Sequence, residues 1–269
     1  MMLLFFMTFV HLFLSYAPYL KIENPVNATL YNGNTVYIGS VSPGGSFYIV
    51  ASANTTNYTG YKVNIGWNEF EAKSLPNGWF SAPTSLYSNP MKLRITVGNN
   101  TSYGIYNITL EAINVGNYSR IGNITIHALV NVSSKVFNIS VEKNVVDSRI
   151  GIPANVVVKI RNNGMADEPF VIYSRSLPSF QKNLTVVSIS NSTGTFNYTV
   201  EEYYNGVYNF TLFVNGTFSP YVRKSFREVL FIEPSFETDI ASFGYGIPIF
   251  PPYFTPIYAL IYLIQKILR

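Results

Sequence analysis

The chain has 269 residues, 48% of them hydrophobic and only 12% charged, with a net charge of +4 and no cysteine. A chain without cysteine has no disulfides, no thiolate chemistry and no cysteine-based zinc site. Its small basic excess is scattered, and the one close cluster, Arg223-Lys224 with Arg227, is broken by Ser225 and Phe226, so nucleic acid is not an expected partner.

Residues 1–17 read as a signal peptide. The stretch from Met2 to Leu14 is apolar, which suits a signal-peptide core and is too short to span a bilayer comfortably. The usual basic start is missing, and Pro18 directly follows Ala17, the small residue that would close a cleavage site. An uncleaved N-terminal anchor is the alternative.

Residues 18–132 read as a first β-sandwich. Aromatics make up 16% of the chain, with 21 Tyr and 20 Phe, and these residues favour a pleated, half-buried surface. Strand-like runs occur at 20–23, 35–41, 47–52, 61–67, 92–97, 106–115 and 122–130. Turn signals at Asn32-Gly33, Pro43-Gly44-Gly45, Pro76-Asn77-Gly78 and Gly98-Asn99-Asn100 separate them. Residues 133–235 read as a second sandwich, with runs at 137–142, 155–161, 170–174, 184–189, 196–201, 207–214 and 229–232. The expected class is therefore all-β, as two tandem antiparallel immunoglobulin-like sandwiches. The junction Val132-Ser133-Ser134-Lys135 is too short for a flexible linker, so the two should stack nearly end to end.

Residues 236–269 form an apolar, Pro-rich tail. No charge occurs from Ile240 to Ile264, but Pro248, Pro251, Pro252 and Pro256 fall inside that stretch and break any single helix. A short helix from Pro256 to Arg269 fits, since Pro is tolerated in a first turn and cations suit a helix C-terminus. Three roles stay open for it: a membrane anchor, docking on a neighbouring subunit, or packing on its own domain. The anchor is the working expectation.

Fifteen Asn-X-Ser/Thr sequons begin at Asn27, Asn54, Asn57, Asn99, Asn100, Asn107, Asn117, Asn123, Asn131, Asn138, Asn183, Asn191, Asn197, Asn209 and Asn215. Chance placement in a chain this rich in Asn, Ser and Thr gives roughly five. In Asn107-Ile108-Thr109-Leu110 and Asn123-Ile124-Thr125-Ile126 the polar residues fall on one strand face and the aliphatics on the other. The excess points to N-glycosylation and therefore to secretion. An Asn- and Thr-rich strand surface without glycans is the plainer reading.

Two stretches resemble known families. Pro43-Gly44-Gly45-Ser46-Phe47-Tyr48-Ile49, Ser74-Leu75-Pro76-Asn77-Gly78-Trp79 and Tyr103-Gly104-Ile105-Tyr106 look like the NEW3-type immunoglobulin-like domain of prokaryotic exported proteins. The run from Gly151 to Gly164, GIPANVVVKIRNNG, resembles CARDB-like adhesion modules. Together with the sequons and the tail, these look like archaeal cell-envelope glycoproteins. The resemblance implies an adhesion or scaffold role and transfers no catalytic residue.

Chemistry-bearing residues are sparse. Beyond the signal segment His127 is the one histidine, and its place in a strand alternation reads as solvated. The carboxylate pairs are Glu69 with Glu71, Asp167-Glu168 and Glu201-Glu202. No cleft is indicated for a glycosidase pair, and a Ca²⁺ loop at Asp167-Glu168 lacks the alternating-oxygen pattern, so a solvated loop is expected there. Trp67 and Trp79 read as core residues, with sugar stacking the alternative. No cofactor or metal is expected. The expectation is a non-enzymatic, glycosylated protein on the extracellular face of the cell membrane or envelope, its partners being the membrane, N-glycans and other envelope subunits. A filament subunit that polymerises by strand addition, through 19–31 or 246–254, is one alternative. A carbohydrate-binding accessory protein is the other.

Overall fold

The computed structural model describes residues 17–117, 120–177 and 182–234, and Ile264. Nearly all of the expected signal segment and tail lie outside those residues. Among the described residues no helix is long and apolar enough to cross a membrane.

The first domain follows from simple alternation. In β11 (Ile124–Val132) Ile124, Ile126, Ala128, Val130 and Val132 point into the core, while Thr125, His127, Leu129 and Asn131 face outward. Strands β4 (Ser46–Ala51) and β9 (Met91–Thr96) alternate in the same way and supply Phe47, Ile49, Met91, Leu93 and Ile95. With β1 (Leu20–Asn24), β2 (Ala28–Leu30) and β8 (Phe80–Ala82) they form one sheet in the order β2-β1-β4-β9-β8. The facing sheet runs β3-β11-β10-β7, where β3 is Thr35–Val41, β7 is Glu69–Ser74 and β10 is Gly104–Ile113. β3 pairs parallel to β11, whereas β10 lies antiparallel between β11 and β7.

The chain leaves the first sheet for the second at Asn32-Gly33. Gly33 takes φ +79°, the left-handed region that glycine adopts without strain. Its N–H donates to Thr125 O at 2.7 Å, and Asn32 Oδ1 accepts from Thr125 N at 2.8 Å. The run expected as a strand at 61–67 is instead a loop holding a two-residue pairing of β5 (Thr55–Thr56) with β6 (Lys62–Val63). A Cβ on Gly66 would stand 2.3 Å from Thr55 Cγ2. Glycine there lets the chain turn inward and bury Trp67, so the loop serves the core rather than a sheet.

The second domain repeats the plan. One sheet runs β12-β14-β17 (Phe137–Val141, Ala154–Asn162, Ser192–Val200). The other runs β13-β19-β18-β15-β16, with β13 Val145–Arg149, β15 Glu168–Arg175, β16 Leu184–Ser188, β18 Gly206–Gly216 and β19 Arg223–Glu233. β13 again crosses between sheets to lie parallel to the last strand. In both domains the strand order is that of an immunoglobulin-like sandwich, whose two sheets join through Greek-key connections. The expected all-β, tandem-sandwich architecture is what the chain adopts.

The domains meet at a fitted joint. Residues 133–136 make one short 3₁₀ turn, Ser134–Val136, capped by Ser133 Oγ accepting from Lys135 N. Met165 N donates to Ser40 O at 2.8 Å, and Ser42 Oγ meets Ser219 Oγ at 2.5 Å. Ala166, from the turn between β14 and β15, is buried in the first domain's core. Gly44, at φ +83°, packs so closely that a Cβ would fall 2.0 Å from Phe218 O. Backbone bonds and apolar burial at one seam hold the two domains as one body.

Candidate glycan-acceptor and binding surfaces

Glycan acceptors must reach solvent, and strand alternation decides whether they do. Among the described side chains, Asn27, Asn54, Asn99, Asn100, Asn107, Asn123, Asn138, Asn183, Asn191, Asn197 and Asn209 are exposed, and Asn57, Asn131 and Asn215 are half-buried. None is buried. The side chain of Asn117 lies outside the described residues. Asn107, Asn138, Asn197 and Asn209 stand on outward strand faces whose opposite residues, such as Ile108, Ile139, Tyr198 and Phe210, fill the cores. Asn57 closes a local turn: its Oδ1 accepts from Thr59 N, Thr59 Oγ1 and Tyr61 N at 3.0, 2.7 and 2.9 Å.

The loops at the end remote from the joint gather around one buried residue. Asn68 exchanges two bonds with Val115, Nδ2 to Val115 O at 2.8 Å and Val115 N to Oδ1 at 2.7 Å, and its carbonyl accepts from Tyr87 N at 2.8 Å. This stitch ties loops 52–68, 83–90 and 114–117 into one tip. Tyr58, Tyr61, Ile65, Leu86 and Tyr87 are exposed there, Tyr61 to 73%. Tyrosine offers large, amphipathic contact area at low conformational cost. Trp67 and Trp79, by contrast, are 1% and 5% exposed. Trp79 packs on Tyr106 with ring centroids 5.5 Å apart. Both indoles therefore serve the core and present no face to a sugar.

The expected carboxylate pairs differ in burial and role, and in the pair Glu201-Glu202 the first is half-buried and the second buried. Glu69 and Glu71 do share one face of β7, where Glu71 lies opposite Glu111 and Lys73 bridges Glu111 at 3.1 Å. His127 is half-buried on the outer face of β11, 3.4 Å from Thr109 Oγ1. Asp167 is exposed and accepts from Ser190 N at 2.7 Å. Glu168 departs from the expected solvated loop: it is fully buried at the start of β15. Its Oε1 accepts from Phe218 N and Ser219 N at 2.8 and 3.0 Å, and its Oε2 from Ser219 Oγ at 2.8 Å. Those bonds add to the Thr217 N–Pro169 O and Ser42 Oγ–Ser219 Oγ contacts that also hold the β18–β19 turn at the joint. Burial pushes the carboxyl up from its ordinary value, and the bonds from Ser219, Phe218 and Thr217 pull against it. Among the described residues no three His, Asp or Glu groups converge as a metal site.

Sequence reasoning missed Glu228. It sits on the inward face of β19, 1% exposed, and neither carboxylate oxygen finds a hydrogen-bond partner among the described residues. Desolvation pushes it up to about 7. The signal is in the alternation Phe226, Glu228, Leu230, Ile232, which carries the inward face of the strand back beyond the run at 229–232.

No family model matches the sequence, and no curated protein matches it. Among solved structures the chain is similar to a chimeric titin Z1Z2 functionalised with an exogenous decorin peptide. That likeness has 11% identity, covers 82% of this chain and 100% of that one, and has a TM-score of 0.36. The chain is also similar to red sea bream transglutaminase, at 11% identity over 71% of this chain and 30% of that one, with a TM-score of 0.28. Likenesses this distant carry nothing about activity, and the immunoglobulin-like architecture stands on the strand order itself.

Proposed function

We propose that this protein is a non-enzymatic, N-glycosylated structural or adhesion protein of the cell surface, of the archaeal envelope kind, held to the membrane by its C-terminal tail. The observation that carries this reading is the solvent access of every described acceptor asparagine, with core aliphatics on the opposite strand faces. Glycans on those faces would cover a surface that has few charges of its own. The closed joint supports a stiff spacer, and the tyrosine-rich tip supports contact with a neighbour at the far end. The separate roles of the described carboxylates and the place of His127 on an outer strand face favour a role without bond chemistry.

A filament subunit is the second reading. Residues 20–24 and 28–30 pair within their own sheet and put Leu20, Ile22 and Leu30 into their own core. That leaves 246–254 as the candidate donor strand. The carbohydrate-binding reading loses its proposed platform with Trp79 in the core. Fractionation of native envelopes separates the first two. Release by detergent, and loss to the medium when 256–268 is made polar, supports the anchored protein. Release by shearing as detergent-resistant threads overturns it in favour of the filament.

A further inference from the structure

On the outer face of the β13-β19-β18-β15-β16 sheet, strand register sorts side chains into ranks. Val171, Asn215 and Arg223 share one rank, Tyr173, Phe213 and Ser225 the next, and Arg175, Thr211 and Arg227 the third. The middle rank holds a stacked pair, with the Tyr173 and Phe213 rings 5.1 Å apart at 13°. The Arg175 guanidinium lies 5.8 Å from one ring centre and 5.3 Å from the other, so a cation covers that side of the pair. Asn215 stands on the opposite side, and its Nδ2 donates to Tyr173 Oη at 3.3 Å.

Asn215 heads the sequon Asn215-Gly216-Thr217, and the chain around it is held firmly. A Cβ on Gly216 would lie 2.9 Å from Glu168 Oε1 and 3.0 Å from Ser219 O, so the middle residue has to be glycine. Thr217 N donates to Pro169 O at 2.9 Å, and the Thr217 side chain is left in solvent. The neighbouring acceptor Asn209 differs. It faces the same solvent but shares its rank with Val229 and Val145, and among the described residues no stacked pair lies beside it.

We infer that Asn215 carries an N-linked glycan whose first sugar packs its C–H face against the Tyr173–Phe213 pair. This rests on the glycoprotein reading above and assigns one acceptor a structural role within it. In the transfer, Asn215 Nδ2 bonds to C1 of a sugar activated on a phosphate-linked carrier. The C1–O bond to the carrier breaks, the carrier phosphate leaves with the electron pair, and the amide gives up one proton. The sugar is then joined at the atom that now touches Tyr173, so its ring begins within reach of the aromatic pair. Pyranose C–H groups complement the negative face of an aromatic ring.

The test uses glycosylated protein and pairs glycopeptide mass spectrometry with thermal unfolding. Asn215 is expected to be occupied. Thr217→Ala, which keeps Asn215 but destroys the acceptor motif, is expected to lower the unfolding temperature by about 3 °C. In a Phe213→Ser background the same change should shift it by less than about 1 °C, as should Asn209→Gln in the parent. Where Phe213→Ser does not fold, Tyr173→Leu takes its place. Proton resonances of the first sugar should also move upfield beside the rings and return when Phe213 is replaced. Asn215 unmodified while other sequons are occupied overturns this inference and leaves the glycoprotein reading standing. An undiminished effect of Thr217→Ala without the aromatic pair does the same. No occupied sequon anywhere removes both.

Discussion

Replacing Glu228 with Gln should make this protein more stable at alkaline pH and leave it unchanged in acid. The carboxyl is inside the second core with no hydrogen-bond partner among the described residues, and burial moves it from 4.5 to about 7. At about 1.4 kcal/mol per tenfold change, that displacement costs ~3 kcal/mol once the group ionises. Local relaxation and water penetration trim the cost to ~2 kcal/mol. A carboxyl whose folded value lies above its unfolded one holds more protons in the native state between the two. Stability from this group is therefore full below pH 4.5 and is lost as pH rises through about 7. Gln keeps the shape of the protonated acid and removes the titration. Thermal unfolding of both proteins at pH 4 and pH 8.5 tests this. The variant should gain roughly 10 °C in the second domain at the higher pH and nothing at the lower. A variant no more stable than the parent at pH 8.5, or equally improved at both, would refute the reasoning.

Removing the Glu168 side chain with Ala leaves Phe218 N, Ser219 N and Ser219 Oγ without their acceptor. Urea unfolding should show a loss of ~3 kcal/mol, and small-angle scattering a larger radius of gyration as the turn under the joint loosens. Asn162→Ala should cost ~2 kcal/mol by the same assay, because its side chain bonds Gly164 N and Ala166 O in the β14–β15 turn and Ser188 O at the end of β16. Trp79→Ala should cost ~3–5 kcal/mol as a core truncation, while Tyr61→Ser at the exposed tip should stay within about 0.5 kcal/mol of the parent. Equal effects at those two positions would contradict the placement of Trp79 in the core.

Much of the fold was legible because its central strands alternate cleanly. The runs at 35–41, 92–97, 106–115, 184–189 and 207–214 each match a strand of the structure to within two residues at either end. The strands that went unseen are short or polar. β7 reads EFEAKS, and its charges are where an edge strand needs them: Glu69, Glu71 and Lys73 face out and discourage further pairing. β13 reads VVDSR beside a Gly-Ile-Pro turn, and its parallel pairing with β19 joins residues more than eighty positions apart, which no local pattern reveals. The sequons themselves were legible in full, since the motif is local, and strand alternation already put Asn107 and Asn123 on the face opposite Ile108 and Ile124. The buried carboxylates were not. Glu168 follows Asp167 in a Gly- and Asn-rich turn and reads as solvated until the β18–β19 turn closes over it. The Tyr173–Phe213–Asn215 cluster was hidden for the same reason, since register between β15 and β18 assembles it.

The central claim is that this is a glycosylated surface protein, and intact glycopeptide mass spectrometry of the protein recovered from native envelopes tests it most directly. The account predicts sugar on several of the exposed acceptors, among them Asn107, Asn138 and Asn197 on the outer strand faces. Complete peptide coverage with every one of the fifteen sequons unmodified would contradict it.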